Sequence, residues 1–105
     1  MDSEPWKRKW RETNAEQLRL AVQALVSRDD LTQRLGDIAC DVLIVHGGAD
    51  IATRIEKAQA VANGVARLAG FTLIPGAPHA ANLSHPEDVN CAINTFLQFL
   101  GLPAD

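Results

Sequence analysis

Residues 41–50 read DVLIVHGGAD. The run from Val42 to Val45 is apolar without alternation, and two glycines and a carboxylate follow soon after it. Continuous apolar runs of this kind are typical of a strand that is buried on both faces of a parallel sheet. We therefore expect a central strand here, with Asp50 just past its carboxyl end.

A second short apolar run, FTLI at residues 71–74, predicts a second strand. Between the two runs the pattern indicates a helix from Ile55 to about Leu68, although the Asn63-Gly64 pair is an earlier stop signal. A strand, a helix and a strand in this order predict two parallel strands joined by a right-handed crossover helix. The expected fold class is therefore α/β, with helices on the N-terminal side and one helix at the C-terminal end.

The loop after the second strand reads PGAPH and delivers His79. Asp50 and His79 are separated by about 30 residues, which is what a strand, crossover helix and strand occupy. Parallel neighbours lie roughly 4.8 Å apart, and ligands collect beyond their carboxyl ends. We predict that these two side chains touch, which would supply the acid and the base of a nucleophilic triad. Gly47 and Gly48 are expected to allow positive φ at a sharp exit from the first strand.

Each site residue also has a plainer interpretation. Asp50 is a candidate N-cap for the following helix, and His79 is a candidate for a loop histidine satisfied by the backbone. His46, at the end of the strand, is expected to make a fixed structural hydrogen bond. His85 lies just before a proline at a helix start, where we expect no chemical role.

Helix signals flank this unit on both sides. Residues 13–16, TNAE, have the form of a capping box ahead of a helix running to about Ser27, and a short turn follows from Leu31 to Leu35. Residues 84–87, SHPE, predict a second capping box. The strongest helical periodicity in the chain comes after it, on Val89, Ala92, Ile93, Phe96, Leu97 and Leu100.

Composition limits the function classes. The chain has 105 residues, 47% of them hydrophobic, and a net charge of −3, so bulk attraction to nucleic acid or to anionic lipid is not expected. No apolar run approaches the length of a membrane span and no leading segment resembles a secretory signal, which predicts a soluble, cytoplasmic protein.

Cys40 and Cys91 fit no disulfide framework or metal-ligand spacing, so we expect reduced, buried thiols, no metal and no cofactor.

The segment WKRKWR at residues 6–11 interleaves tryptophan with basic residues. Such a pattern could bind single-stranded nucleic acid or an anionic bilayer. It occurs once and is short, so the favoured interpretation is a solvated, partly ordered segment whose tryptophans are anchored on a neighbouring element. Neither a nucleic-acid partner nor a membrane partner is predicted.

These motifs resemble the C-terminal portion of the α/β-hydrolase family. Residues 42–50, VLIVHGGAD, are similar to the family's seventh strand and its acid turn, and residues 74–87, IPGAPHAANLSHPE, resemble the eighth strand and the histidine loop. The resemblance covers about Leu31 to Leu100. It implies a catalytic acid at Asp50 and a catalytic base at His79, with residues 1–35 as the end of a cap or lid region and residues 36–105 as part of the hydrolase core.

The same resemblance shows what this chain does not contain. The family's nucleophile lies on a Gly-x-Ser-x-Gly elbow, and Ser3, Ser27 and Ser84 are not flanked by that pattern. The expected function is therefore that of a C-terminal fragment or subunit of a hydrolase acting on a small-molecule, ester-like substrate, inactive alone. The alternative is a non-catalytic interaction module. It would use the exposed edge of the first strand for self-association or for an N-terminal partner chain.

Overall fold

The computed structural model of the chain describes residues 2–102 and contains mixed helix and strand. By their contacts these residues form two compact units, one ending at Asp30 and the other beginning at Leu31. No helix within residues 2–102 combines the length and the apolar character needed to cross a membrane. The assignment of residues 1–35 to a cap and 36–105 to a hydrolase core stays a prediction.

The first unit contains two helices. Helix α1 spans Glu4–Glu12 and helix α2 spans Ala15–Ser27, and neither contains a buried residue. The capping box lies one residue later than predicted: the Asn14 side chain accepts from the amide of Gln17, and the Gln17 side chain reaches back to the amide of Asn14. The hydroxyl of Thr13 instead donates a hydrogen bond to the carbonyl of Lys9, at the C-terminal end of α1.

The prediction for the tryptophan-rich segment was partly wrong. Residues 6–11 lie within a regular helix and not in a partly ordered segment, and Trp6 is 44% exposed while Trp10 is 71% exposed. The ammonium group of Lys9 lies 5.2 Å from the Trp6 ring centre, so a cation–π contact forms within the helix itself.

The second unit contains the predicted strands. After a 3-10 helix at Thr32–Asp37, strand β1 spans Val42–Gly47, helix α3 spans Ile55–Gly64 and strand β2 spans Leu68–Ile74. Helix α4 at Ala81–Ser84 and helix α5 at Pro86–Phe99 complete it. The two strands form one sheet and run parallel, with Val45 opposite Thr72 and His46 opposite Leu73. The predicted strand–helix–strand order and parallel pairing are confirmed.

Helix α3 takes the earlier of its two predicted stops. It ends at Gly64, and Leu68, expected to be its last residue, begins β2 instead. Gly64 lies against Leu35 of the 3-10 helix so closely that a Cβ atom there would collide with the Leu35 side chain. The Asn63-Gly64 signal therefore marks both a helix end and a close packing contact.

A small apolar cluster lies between the sheet and α5. It consists of Ile74, Ala77, Ala81 and Val89, with Val45 of β1 packed against it. Val89 belongs to the periodic stripe predicted for the last helix, which packs on β2 and β1 as expected. The helix begins without the predicted Ser84 cap, because α5 has no side-chain cap and the Ser84 hydroxyl hydrogen-bonds the ring of His85.

Candidate functional site

The two loops that follow the strands are tied together through their backbones. The amide of Gly48 donates to the carbonyl of Ile74 at 2.8 Å, and the amide of Ala49 donates to the carbonyl of Ala77 at 2.9 Å. Each bond joins the exit of β1 to the exit of β2. The segments carrying Asp50 and His79 are therefore positioned by main-chain contacts, which are less mobile than contacts between long side chains.

Gly47 is required here for space and not for its dihedral freedom. A Cβ atom at residue 47 would collide with the carbonyl oxygens of Ala77 and Pro78. The expectation of positive φ at Gly47 and Gly48 was wrong, because among the described residues the glycines with positive φ are Gly76 and Gly101. Gly76, at φ 75°, turns the chain from β2 towards His79.

The predicted contact between Asp50 and His79 is present. The Nδ1 atom of His79 lies 2.8 Å from the Oδ2 atom of Asp50. The two side chains differ sharply in exposure, at 4% for Asp50 and 68% for His79. The shielded carboxylate of Asp50 therefore contacts one ring nitrogen of His79, and the rest of the imidazole is largely open to solvent.

The second carboxylate oxygen of Asp50 is held by the backbone. Its Oδ1 atom accepts hydrogen bonds from the amides of Ala52 and Thr53, each at 2.9 Å. This is the local turn that aspartate favours, in which the side chain accepts from amides two and three residues ahead. The alternative role as N-cap of α3 is not observed, because Arg54 occupies that position.

These two amides are functional groups that the sequence interpretation did not identify. The signal was present, since an aspartate followed by small residues at the exit of a strand is a typical beginning of such a turn. The hydrogen bond from the Thr53 amide is the largest cause that lowers the pKa of Asp50, and those from His79 and Ala52 act in the same direction. Burial acts the other way, yet the net direction is down.

The protonation of the pair follows from this. With its pKa lowered, Asp50 is ionised at neutral pH and only accepts hydrogen bonds, so the proton in the contact belongs to Nδ1 of His79. In the neutral ring this leaves Nε2 without a proton, and Nε2 is then the atom able to accept one. The arrangement is able to orient an imidazole for action as a general base.

The lowered pKa of Asp50 makes a prediction about stability and pH. The contribution of the ionised carboxylate is fully present above its unfolded-state pKa, roughly 4, and is lost as the pH falls through the lower folded-state value. We expect the stability advantage of the wild type over Asp50→Asn to be larger at pH 5 than at pH 3. Urea unfolding of both proteins, followed by circular dichroism from pH 7 to pH 3, measures it. A difference that does not change with pH would contradict the assignment.

The other histidines take no part in this contact. His46 is buried, and its Nε2 atom has no hydrogen-bond partner among residues 2–102, so the predicted structural hydrogen bond is not made by that atom. The Nδ1 atom of His85 lies 2.8 Å from the hydroxyl of Ser84. His85 thus begins α5 in a local contact of its own.

Both cysteines differ from their expected environment. Cys40 and Cys91 are free thiols as predicted, but they are exposed and not buried. Cys91 belongs to helix α5, in which Val89 is the buried residue. No group of three or more histidine, cysteine, aspartate or glutamate side chains within residues 2–102 has a metal-binding arrangement.

Two clefts lie near the ends of the strands. A shallow one of about 440 Å³ lies beside the acid turn and is lined by Asp50, Ile51, Arg54 and neighbouring residues. A larger groove of about 490 Å³ lies between β2 and α5, and neither Asp50 nor His79 lines it. Ile51, directly after Asp50, is 93% exposed, so the surface beside the acid turn is apolar as well as open. Asp50 therefore borders the shallow cleft, whereas His79 lines neither the shallow cleft nor the larger groove.

Comparison with known proteins gives one partial similarity. No protein-family model matches the chain. No solved structure matches it either. The chain is similar to a protein of Synechocystis sp. that carries the name "Putative non-heme chloroperoxidase", with 37% identity over 71 residues. These residues are 68% of this chain and 24% of the Synechocystis protein, so the chain spans about a quarter of that relative.

Proposed function

We propose that this chain supplies the acid and the base of a nucleophile–histidine–aspartate triad in an α/β-hydrolase. The nucleophile would come from polypeptide outside these residues, and the substrate would be a small ester-like molecule. The observation that carries the proposal is the 2.8 Å contact between Nδ1 of His79 and Oδ2 of Asp50 at the shared carboxyl end of two parallel strands.

The geometry supports a distinct role for each residue of the pair. His79 would take the proton of the nucleophile on Nε2 and later return it to the leaving group, while Asp50 holds the ring in the required tautomer. The amides of Ala52 and Thr53 keep Asp50 ionised and fix its direction. The Synechocystis relative carries the name of an enzyme, which supports an enzymatic role for this site.

The chain by itself should have little activity. Most of the rate enhancement in such enzymes requires a positioned nucleophile and donors that stabilise the oxyanion. We expect the isolated chain to hydrolyse p-nitrophenyl acetate no faster than an equal concentration of free imidazole. Turnover well above that level would contradict the proposal.

A chimera tests the proposed roles directly. In it, this chain replaces the matched segment of the Synechocystis protein, and p-nitrophenyl acetate hydrolysis is measured. We expect His79→Ala to lower kcat by about 10³-fold or more, because no other group would accept the proton. His85→Ala is the matched control, since this histidine contacts Ser84 and not Asp50, and it should change kcat less than about twofold. Equal losses in the two variants would refute the assignment of His79.

A further inference from the structure

Helix α1 places its two tryptophans on one side of the helix. Trp6 and Trp10 are four residues apart, and at about 100° per residue their side chains lie about 40° apart around the helix axis. Both rings are exposed, and neither α1 nor α2 contains a buried residue. The first unit therefore does not bury this aromatic pair, and adjacent exposed apolar groups of this kind indicate a binding surface.

The charged residues of α1 are divided between the two sides of the helix. Lys7 and Lys9 lie on either side of the tryptophan pair, each about 80° from its centre. Glu4 and Glu12 are the acidic residues of α1, and both lie about 140° from that centre. The side with the tryptophans therefore carries positive charge and no acidic residue of α1. We name it the tryptophan face, and it consists of Trp6, Lys7, Lys9 and Trp10.

The contacts of the two lysines leave their charges available. Lys7 lies 3.6 Å from Glu4, but both side chains are more than half exposed, and ion pairs of this kind contribute little. The ammonium group of Lys9 contacts the ring of Trp6 and makes no ion pair with the residues that the structure describes. Both ammonium groups can therefore exchange these contacts for an anionic group outside the chain.

The contact between Lys9 and Trp6 bears on the kind of ligand that fits. Nucleic-acid bases bind aromatic side chains by stacking on an open ring face, and the ammonium group of Lys9 covers one of the two faces of Trp6. At a bilayer interface the ring instead enters among the headgroups, while neighbouring lysines extend their charges towards anionic lipid. The geometry therefore favours a lipid surface over a single strand of nucleic acid.

The net charge of the chain does not oppose such binding. The chain carries a net charge of −3, but α1 has four basic and two acidic side chains. Attraction to a charged membrane acts within a Debye length, roughly 8 to 10 Å, so the local charge of the helix decides it. A helix that lies in the plane of the interface needs one apolar side and basic residues, and it needs no length sufficient to cross the bilayer.

We propose that the tryptophan face of α1 binds the surface of an anionic phospholipid bilayer, with the helix axis parallel to that surface. The rings of Trp6 and Trp10 enter the interface, and Lys7 and Lys9 bind the phosphate groups of the lipids. The inference is independent of the proposed hydrolase function, because it uses no residue of the Asp50–His79 pair.

The intrinsic fluorescence of the whole chain tests the proposal. Trp6 and Trp10 are the two tryptophans of the sequence, so tryptophan emission reports on α1 alone. The probe is a suspension of phosphatidylcholine vesicles with about 30% phosphatidylserine, and vesicles of phosphatidylcholine alone are the control. We expect a blue shift of the emission with the anionic vesicles, none with the neutral ones, and reversal of the shift in about 0.5 M salt.

Two double variants separate the tryptophan face from the rest of α1. Lys7→Gln with Lys9→Gln removes both charges of the face, and Arg8→Gln with Arg11→Gln removes the same charge from the opposite side. Glutamine is a good helix former, and circular dichroism checks that the helix is kept. We expect the lysine variant to bind anionic vesicles at least about tenfold more weakly than the wild type, and the arginine variant to change by less than about threefold.

Several results would overturn the inference. Absence of an emission shift with anionic vesicles would remove the lipid partner, and a shift with oligothymidylate alone would assign the face to nucleic acid instead. Equal weakening in the two double variants would show attraction without a defined face. A blue shift that depends on protein concentration and needs no vesicles would mean that a second copy of the chain covers the tryptophans.

Discussion

Replacing Gly47 by alanine should destabilise the chain by about 2 to 3 kcal/mol and separate Asp50 from His79. The added Cβ atom would collide with two backbone carbonyl oxygens, those of Ala77 and Pro78, and neither can move as a flexible side chain can. Relief of the clash requires the β2 exit loop to shift away from β1. That loop carries His79, so loss of stability and loss of the contact should occur together.

Gly48→Ala is the matched control for this effect. A Cβ atom at residue 48 would lie 3.3 Å from the carbonyl oxygen of Ile74, which is tight but requires a shift of only a few tenths of an ångström. We expect a loss below about 1 kcal/mol and an intact site. Urea unfolding by circular dichroism measures the stabilities, and the nitrogen chemical shifts of the His79 ring report the contact. Equal behaviour of the two variants would show that Gly47 has no special steric role.

The relation between sequence and structure is clearest at the strands. The apolar run ending in two glycines predicted β1, and the spacing to His79 predicted the parallel neighbour and the contact with Asp50. These predictions succeeded because parallel pairing follows from the apolar composition of both strands and from the length of one crossover. The identity of the pair as catalytic residues stays a prediction, since geometry alone also permits an ion pair without chemistry.

Other features depend on atoms that a residue pattern does not specify. The need for Gly47 arises from carbonyl groups 30 and 31 positions later in the chain, so local turn rules suggested the wrong reason for it. The Asn14 cap was displaced by one residue because both Thr13 and Asn14 are good caps, and Thr13 is occupied with the carbonyl of Lys9. The exposure of Cys91 likewise depends on which face of α5 packs on the sheet.

Asp50 and His79 differ in how firmly their side chains are held, and this difference follows their exposure to solvent. The carboxylate is anchored by two amides of its own turn, so it has little freedom once the turn forms. The imidazole contacts Asp50 through one ring nitrogen and is otherwise largely exposed, which leaves Nε2 accessible.

Asp50→Asn should invert the tautomer of His79. The Asn side-chain oxygen can keep the bonds to the amides of Ala52 and Thr53, which directs its NH₂ group at Nδ1 of His79. An NH₂ group donates a hydrogen bond and therefore requires Nδ1 without a proton, so the ring proton moves to Nε2. Nitrogen NMR of the isolated chain at a pH where the ring is neutral should show Nδ1 protonated in the wild type and Nε2 protonated in the variant.

The same substitution should lower kcat of the chimera by about 10⁴-fold, because a proton on Nε2 prevents it from accepting one from the nucleophile. Asp37→Asn is the control, since Asp37 pairs with Arg34 on the 3-10 helix and does not contact His79. It should leave the tautomer unchanged. A chimera that loses activity with an unchanged His79 tautomer would mean that Asp50 acts through stability, whereas an inverted tautomer with full activity would remove His79 Nε2 from the mechanism.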